Sequence, residues 1–208
     1  GKPSPTEGKH VWQDLKGKIP LLIDTGKCAI GLESTVLDLT AEIPCILRPG
    51  GITLEQLQAV LREVTIDSAA QGEAKEATAP KAPGMKYRHY APRGSIKILS
   101  GKNEDKLTQI GFGLRQKTAG QKIALICFAE TAELLDRTTV DLIDFLFVLG
   151  SLKRPEDAAG RLFESLRLCD EKAIDLILVE GMSESGIGLA FMNRLHKAAG
   201  NKGNKMTI

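Results

Sequence analysis

Four short segments of the chain concentrate residue types that can do chemistry. Lys86-Tyr87-Arg88-His89-Tyr90 interleaves two aromatic rings with cations, between Pro83-Gly84 and Ala91-Pro92. It lies in a connector, and a connector has no core to fill, so two tyrosines there need another partner. Stacking on a base with the cations on phosphate suits the composition. Docking of the connector on a domain surface, with tyrosine as anchor, is the other reading. In extended form Lys86, Arg88 and Tyr90 share one side and Tyr87 and His89 the other.

Leu47-Arg48-Pro49-Gly50-Gly51 puts an arginine between an apolar strand and a tight turn. A guanidinium fixed there offers its planar fork to phosphate or carboxylate, or else covers the strand end. Gly31-Leu32-Glu33-Ser34-Thr35-Val36-Leu37-Asp38 carries adjacent hydroxyls on strand-like alternation. They suit a small polar substrate, or an ordinary half-exposed strand. Ser4-Pro5-Thr6 stands before a short helix. There it is either a plain cap or a phosphate site made by N–H groups and the helix dipole. Gly186-Ile187-Gly188 has the start of a dinucleotide loop, but Phe191 stands where the third glycine belongs, so it reads as a turn and helix start.

The elements that must position these residues fall into two groups. Residues 1–65 predict a helix from a Thr6 cap to about residue 15 and strands over 20–24, 31–39 and 43–47. They also predict a helix opened by a Thr53–Gln56 capping box, burying Leu54, Leu57, Val60 and Leu61. Three strands and two helices make a thin core, so this part reads as the tail of a larger domain. Residues 66–94 are a connector, rich in Ala, Lys, Glu and Pro without apolar periodicity. Residues 95–208 alternate strands (96–99, 122–128, 144–149, 174–180) with helices (104–117, 130–135, 155–172, 189–199). The helix over 155–172 buries Ala159, Leu162, Phe163, Leu166 and Cys169 on one face. Nearly all-apolar strands alternating with helices predict a small three-layer α/β domain with a mainly parallel sheet.

Composition narrows the partners. With 28 Lys+Arg against 26 Asp+Glu, the formal charge is +2 over 208 residues, which argues against a general nucleic-acid or membrane-surface binder. Hydrophobic residues at 42% exclude disorder over most of the length. Apolar runs such as 123–127 and 145–149 are far too short to span a bilayer. The first residues hold neither an initiator Met nor a signal-like apolar core, so a processed or partial chain is expected. Cys28, Cys45, Cys127 and Cys169 are widely spaced with no C-x-x-C, and only three histidines accompany them, which excludes the usual zinc spacings. Three of the four lie in apolar runs and read as buried free thiols of a reducing cytosol.

Taken together, the segments resemble one family. Lys2-Pro3-Ser4-Pro5-Thr6, the Glu33-Ser34-Thr35-Val36 run, Ile46-Leu47-Arg48-Pro49-Gly50-Gly51-Ile52-Thr53 and Pro83 through Pro92 are similar to threonylcarbamoyl-AMP synthase. The likeness is to its long form, with a YrdC-like catalytic domain, a connector and an additional domain; Met192-Asn193-Arg194-Leu195 resembles the end of that domain. It implies a C-terminal remnant of a YrdC-like α/β domain, then a connector and a small Rossmann-like domain. It also implies a cytoplasmic nucleotidyltransferase that joins L-threonine, bicarbonate and ATP into threonylcarbamoyl-AMP and pyrophosphate for tRNA modification. Mg²⁺ would accompany the ATP, and no protein-bound metal is implied. Ser4, Arg48 and Tyr87 would bind ATP or the adenylate, and Ser34 would hold threonine. His89 and Arg88 belong to the same motif. The product would pass to the tRNA-modifying machinery, and no membrane is involved. The family's long N-terminal part, with a basic motif and a Ser-Asn element, has no counterpart here, so the chain by itself is expected to be inactive or nearly so. Glu7 stands where the family commonly has a small or hydroxylated residue. A reading of another class is a non-catalytic module that binds nucleotide or RNA through the connector.

Overall fold

The near-continuous apolar runs after residue 95 become a four-stranded, all-parallel sheet. In the computed structural model, which describes residues 3–68, 70 and 91–200, the strands are β4 (Ser95–Leu99), β5 (Ile123–Cys127), β6 (Phe145–Val148) and β7 (Leu176–Glu180). Their order is β4-β7-β5-β6, so β7 is central, with Ile98 opposite Val179 and Leu125 opposite Leu178. The period of two along each strand feeds two cores. Ile98, Ala124, Ile126, Ile177 and Val179 face the helices α6 (Pro155–Glu171) and α7 (Ile187–Ala199). Leu99, Leu125, Cys127 and Leu178 face α3 (Asn103–Arg115). Helices therefore cover both faces, which is the Rossmann-like three-layer arrangement the alternation predicts. The short helices α4 (Ala129–Ala132) and α5 (Arg137–Asp141) join β5 to β6.

One charge is enclosed at the carboxyl end of β7. Glu180 is fully buried, with Oε1 accepting from Lys106 Nζ at 2.6 Å and Thr131 Oγ1 at 2.9 Å. Its Oε2 accepts from the Phe128 amide at 2.9 Å. The carboxylate thereby ties α3, β5 and β7 together, and every one of its partners is a donor, as a buried anion requires.

Residues 3–68 are organised more sparingly. Helix α1 spans Gly8–Leu15 and α2 spans Leu54–Leu61; β1 (Val36–Asp38), β2 (Cys45–Arg48) and β3 (Thr65–Ile66) form a second sheet. β1 runs antiparallel to β2, and β3 parallel to it. The Thr53–Gln56 capping box forms, with Thr53 Oγ1 accepting from the Gln56 amide and Gln56 Oε1 from the Thr53 amide.

Several sequence expectations need correction here. Glu7, not Thr6, occupies the cap of α1; Thr6 is buried and its amide donates to His10 Nδ1 at 3.2 Å. Residues 20–24, all described, form no strand, and the strand expected over 31–39 shrinks to three residues. α2 encloses none of its own side chains: Val60 is 79% exposed. The periodicity of α2 is real, but among the described residues the stripe is only partly covered: Leu54 and Leu57 are half-buried, and Val60 and Leu61 are exposed. Cys127 and Cys169 are buried, Cys45 half-buried and Cys28 exposed, so two thiols rather than three are enclosed. Burial pushes both enclosed thiols up to about 12.

Candidate functional site

Three of the residues singled out in the sequence meet where the sheet of residues 36–66 faces the rest of the chain. Arg48, at the end of β2, folds its guanidinium back on the loop before β1. Its Nε and Nη2 donate to the Ser34 carbonyl at 3.1 and 3.0 Å, and Nη2 reaches Ser34 Oγ at 3.1 Å. The fork is thus held planar beside a hydroxyl, with Ser34 exposed and Arg48 half-buried. Ser4 Oγ donates to Glu33 Oε1 at 2.7 Å, which brings the 3–6 segment against the same loop. Ser4 lies four residues ahead of α1, so it does not sit at a helix N-terminus and the dipole-based phosphate site does not form there.

The turn after Arg48 explains the close approach. A Cβ on Gly50 would lie 2.3 Å from both the Glu33 carbonyl oxygen and the Thr35 amide nitrogen. Only glycine lets that backbone pack against residues 33–35. Thr35 Oγ1 reinforces the contact, donating to the Ile52 carbonyl at 2.6 Å and accepting from the Ile52 amide at 3.1 Å.

The second half of the site comes from the three-layer domain. Arg194 on α7 is fully buried, and its Nε stands 2.9 Å from Glu33 Oε2, off the hydrogen-bond axis, as an ion pair. Its Nη2 donates to the Pro49 carbonyl at 3.2 Å and its Nη1 to Asn193 Oδ1 at 3.1 Å. Asn193 Nδ2 in turn donates to the Ala70 carbonyl. Arg167 on α6 is buried too; it pairs with Asp14 at 2.7 Å and donates to the carbonyls of Pro3 and Ser4. Lys197, one turn beyond Arg194, is pushed down to about 8, first by burial and then by the nearby charges of Arg194 and Arg48, against the pull of Glu33. His10 is held below its usual value by burial and by Arg167.

Glu33, Arg167, Arg194 and Lys197 were not among the expected site residues. Glu33 lies inside the Gly31–Asp38 run but carries neither of the hydroxyls that mark that run for chemistry. Arg167 and Arg194 carried a usable signal: each interrupts an apolar helix stripe, Phe163-Leu166 and Phe191-Leu195 respectively, and a charge at a core position requires a partner. Tyr87, together with Lys86, Arg88 and His89, lies outside the described residues. Gly186 begins α7 at a φ of +56°, the turn and helix start expected of it, and its amide donates to Glu55 Oε1 at 3.1 Å.

A small cleft of about 120 Å³ opens beside the junction, lined by Ala29, Ile30, Gly51, Thr53, Gln56, Glu156 and Ile187. It is mostly apolar and far below the roughly 300 Å³ at which small-molecule pockets begin. Neither Ser34, Arg48 nor Ser4 lines it.

Comparison with known proteins gives this geometry a family context. The family model described as threonylcarbamoyl-AMP synthase, C-terminal domain, matches residues 52–200. One described as telomere recombination matches residues 1–50. The chain is 42% identical over 201 residues to a threonylcarbamoyl-AMP synthase of Pyrococcus abyssi, covering 96% of this chain and 55% of that protein. It is 38% identical to the Bacillus subtilis protein of the same name, covering 97% of this chain and 55% of the other. The Schizosaccharomyces pombe protein is 37% identical, with 95% and 49% covered. Among solved structures, P. abyssi Sua5 complexed with L-threonine superposes with a TM-score of 0.83 at 41% identity, over 96% of this chain and 55% of that one. A variant of the same protein, with alanines at an adjacent histidine and tyrosine, gives 0.83 at 40%, over 96% and 54%. The chain spans about half the length of the curated relatives it matches.

Proposed function

The chain belongs to the threonylcarbamoyl-AMP synthase family, and from that premise we propose that it is the C-terminal part of an enzyme making threonylcarbamoyl-AMP from L-threonine, bicarbonate and ATP. In this reading residues 1–65 belong to a YrdC-like catalytic domain, 66–94 connect, and 95–208 form the additional domain. The observation that carries it is the Arg48 fork, clamped beside the Ser34 hydroxyl with Ser4 drawn to the same loop through Glu33. That arrangement fixes a cation beside the exposed Ser34 hydroxyl, with Ser4 tied to the neighbouring Glu33, before any ligand arrives.

The proposed reaction is a displacement at phosphorus. A carbamate oxygen of N-carboxylated threonine forms a bond to the α-phosphorus of ATP. The bond from that phosphorus to the bridging oxygen breaks, and pyrophosphate leaves with the electron pair. Arg48 and Ser4 would hold the phosphate oxygens and Ser34 the threonine. Charge that accumulates on the phosphoryl oxygens is offset by the guanidinium, whose place is already set by the Ser34 carbonyl. Mg²⁺ enters as part of the ATP substrate. Tyr87 would close over the nucleotide from the connector. The L-threonine bound in the P. abyssi relative is consistent with an amino-acid substrate. The alanine pair in the other relative falls at a histidine–tyrosine step, and the only such step here is His89-Tyr90. The product would be handed on to a tRNA-modifying machinery in the cytoplasm; among the described residues no helix is long and apolar enough to cross a membrane. The relatives' names leave the non-catalytic module reading unfavoured.

Arg48→Ala tests the proposal in a protein of the relatives' length that carries this chain. Loss of a charge-assisted contact costs about 1.5–3 kcal/mol, so ATP affinity should fall roughly ten- to a hundredfold. Threonine affinity should fall less. Unchanged ATP affinity by calorimetry would return Arg48 to the role of a strand-end surface residue.

A further inference from the structure

The two halves of the chain grip each other through arginines as well as through apolar contact. Leu32 packs on the α6–α7 core, and Gly31 approaches Gly160 so closely that a Cβ would fall 2.6 Å from its Cα. That surface already supplies an apolar contact between the halves. Burying two guanidinium groups beside it is expensive unless every donor is used, and a glue needs no such cost. What a buried guanidinium adds is direction: its planar fork fixes where each acceptor lies.

The acceptors are informative. Arg194 takes the Pro49 carbonyl and faces Glu33, and Arg167 takes the carbonyls of Pro3 and Ser4. Pro49 follows Arg48, Glu33 precedes Ser34, and Pro3 precedes Ser4. Glu33 also relays the grip, since one carboxylate oxygen faces Arg194 while the other accepts the Ser4 hydroxyl. The segments bearing Ser4, Ser34 and Arg48 are thus each pinned by an arginine of the other half.

We propose that Arg167 and Arg194 are positioning residues, through which the three-layer domain sets the spacing of Ser4, Ser34 and Arg48 and hence the affinity for ATP and threonine. The inference rests on the reading of those three residues as the substrate site. Release of either pinned segment by about 1 Å would then misplace the Arg48 fork relative to Ser4. Misplacement of that size is enough to cost on the order of a hundredfold in a reaction that depends on alignment.

The test measures ATP and L-threonine binding by calorimetry, with a melting curve for each variant, in a protein of the relatives' length carrying this chain. Arg194→Gln and Arg167→Gln should each weaken binding of at least one substrate by on the order of tenfold per folded molecule. Arg154→Gln, whose side chain is 75% exposed, should bind as the parent does. Parent-like affinities in both buried-arginine variants, with Arg48→Ala weakened, would overturn the positioning role and leave the substrate site standing. Parent-like affinity in Arg48→Ala would bring down the site itself, and the positioning role with it. If a single arginine variant fails to fold, Glu33→Gln/Arg194→Met removes both charges and restores a packed apolar contact. That pair, once folded, should still bind weakly; full affinity would show that the arginines only hold the halves together.

Discussion

Residues 91–200 and residues 3–68 follow the same rules of patterning and arrive at different degrees of closure. In the first, every strand residue of β5 is buried and α6 encloses Leu162, Phe163 and Leu166. In the second, the described residues enclose little beyond Ile46, Leu47 and Val64. Ten of the thirteen large apolar side chains exposed among the described residues lie between Trp12 and Leu61. The difference is one of available partners. A parallel sheet with helices on both faces is complete within 110 residues, whereas a three-stranded sheet with two short helices has apolar faces left over. Ser4, Ser34 and Arg48, three of the proposed substrate-binding residues, lie in the less closed half, and arginines of the closed half contact the segments that carry them.

The hardest way to break that comparison is to separate the halves. A polypeptide of residues 93–208 should melt cooperatively, and residues 1–66 should show no cooperative transition by calorimetry or near-ultraviolet circular dichroism. A cooperative melt of 1–66 would mean that its few buried residues suffice for a domain. A smaller effect compares one side chain from each half within the 208-residue chain. Phe163→Ala removes a fully buried ring and should cost about 3–5 kcal/mol. Val60→Ala, on the exposed stripe of α2, should stay within about 0.5 kcal/mol. Denaturant midpoints at constant slope would read both.

The same difference decides what could be read from the sequence. Every strand of the three-layer domain was legible to within about two residues, because apolar runs and helix stripes there meet real partners. The Thr53–Gln56 box was legible because a cap is satisfied by its own neighbours. The stripe of α2 was equally visible and misleading, since periodicity records what a helix can bury, not what is present to bury it. Ser34 and Arg48 were found by residue type and by resemblance, and the structure brings them into contact. Arg167 and Arg194 lie more than 140 residues from the carbonyls they grip. No local pattern encodes such a contact; only the oddity of a charge on an apolar stripe pointed to it.

Lys197 sharpens the comparison at the junction itself, and its effect is the smallest. Its ammonium is buried beside Arg194 and Arg48, which together with burial outweigh Glu33 and bring it down to about 8. An unfolded lysine titrates near 10.4. Below pH 8 the group is charged in both states, so the full cost of burying that charge is present. Between about pH 8 and 10.4 the folded chain has released the proton and the unfolded chain has not. The unfolded state then binds more protons, and stability rises with pH from this group. Lys197→Met should therefore melt higher than the parent chain at pH 7, and the gap should narrow as pH is raised towards 10. The difference between the two melting temperatures, measured at each pH, cancels the titration of all other groups. A gap that stays constant from pH 7 to 10 would mean that Lys197 titrates as an ordinary lysine and that the junction tolerates its charge without strain.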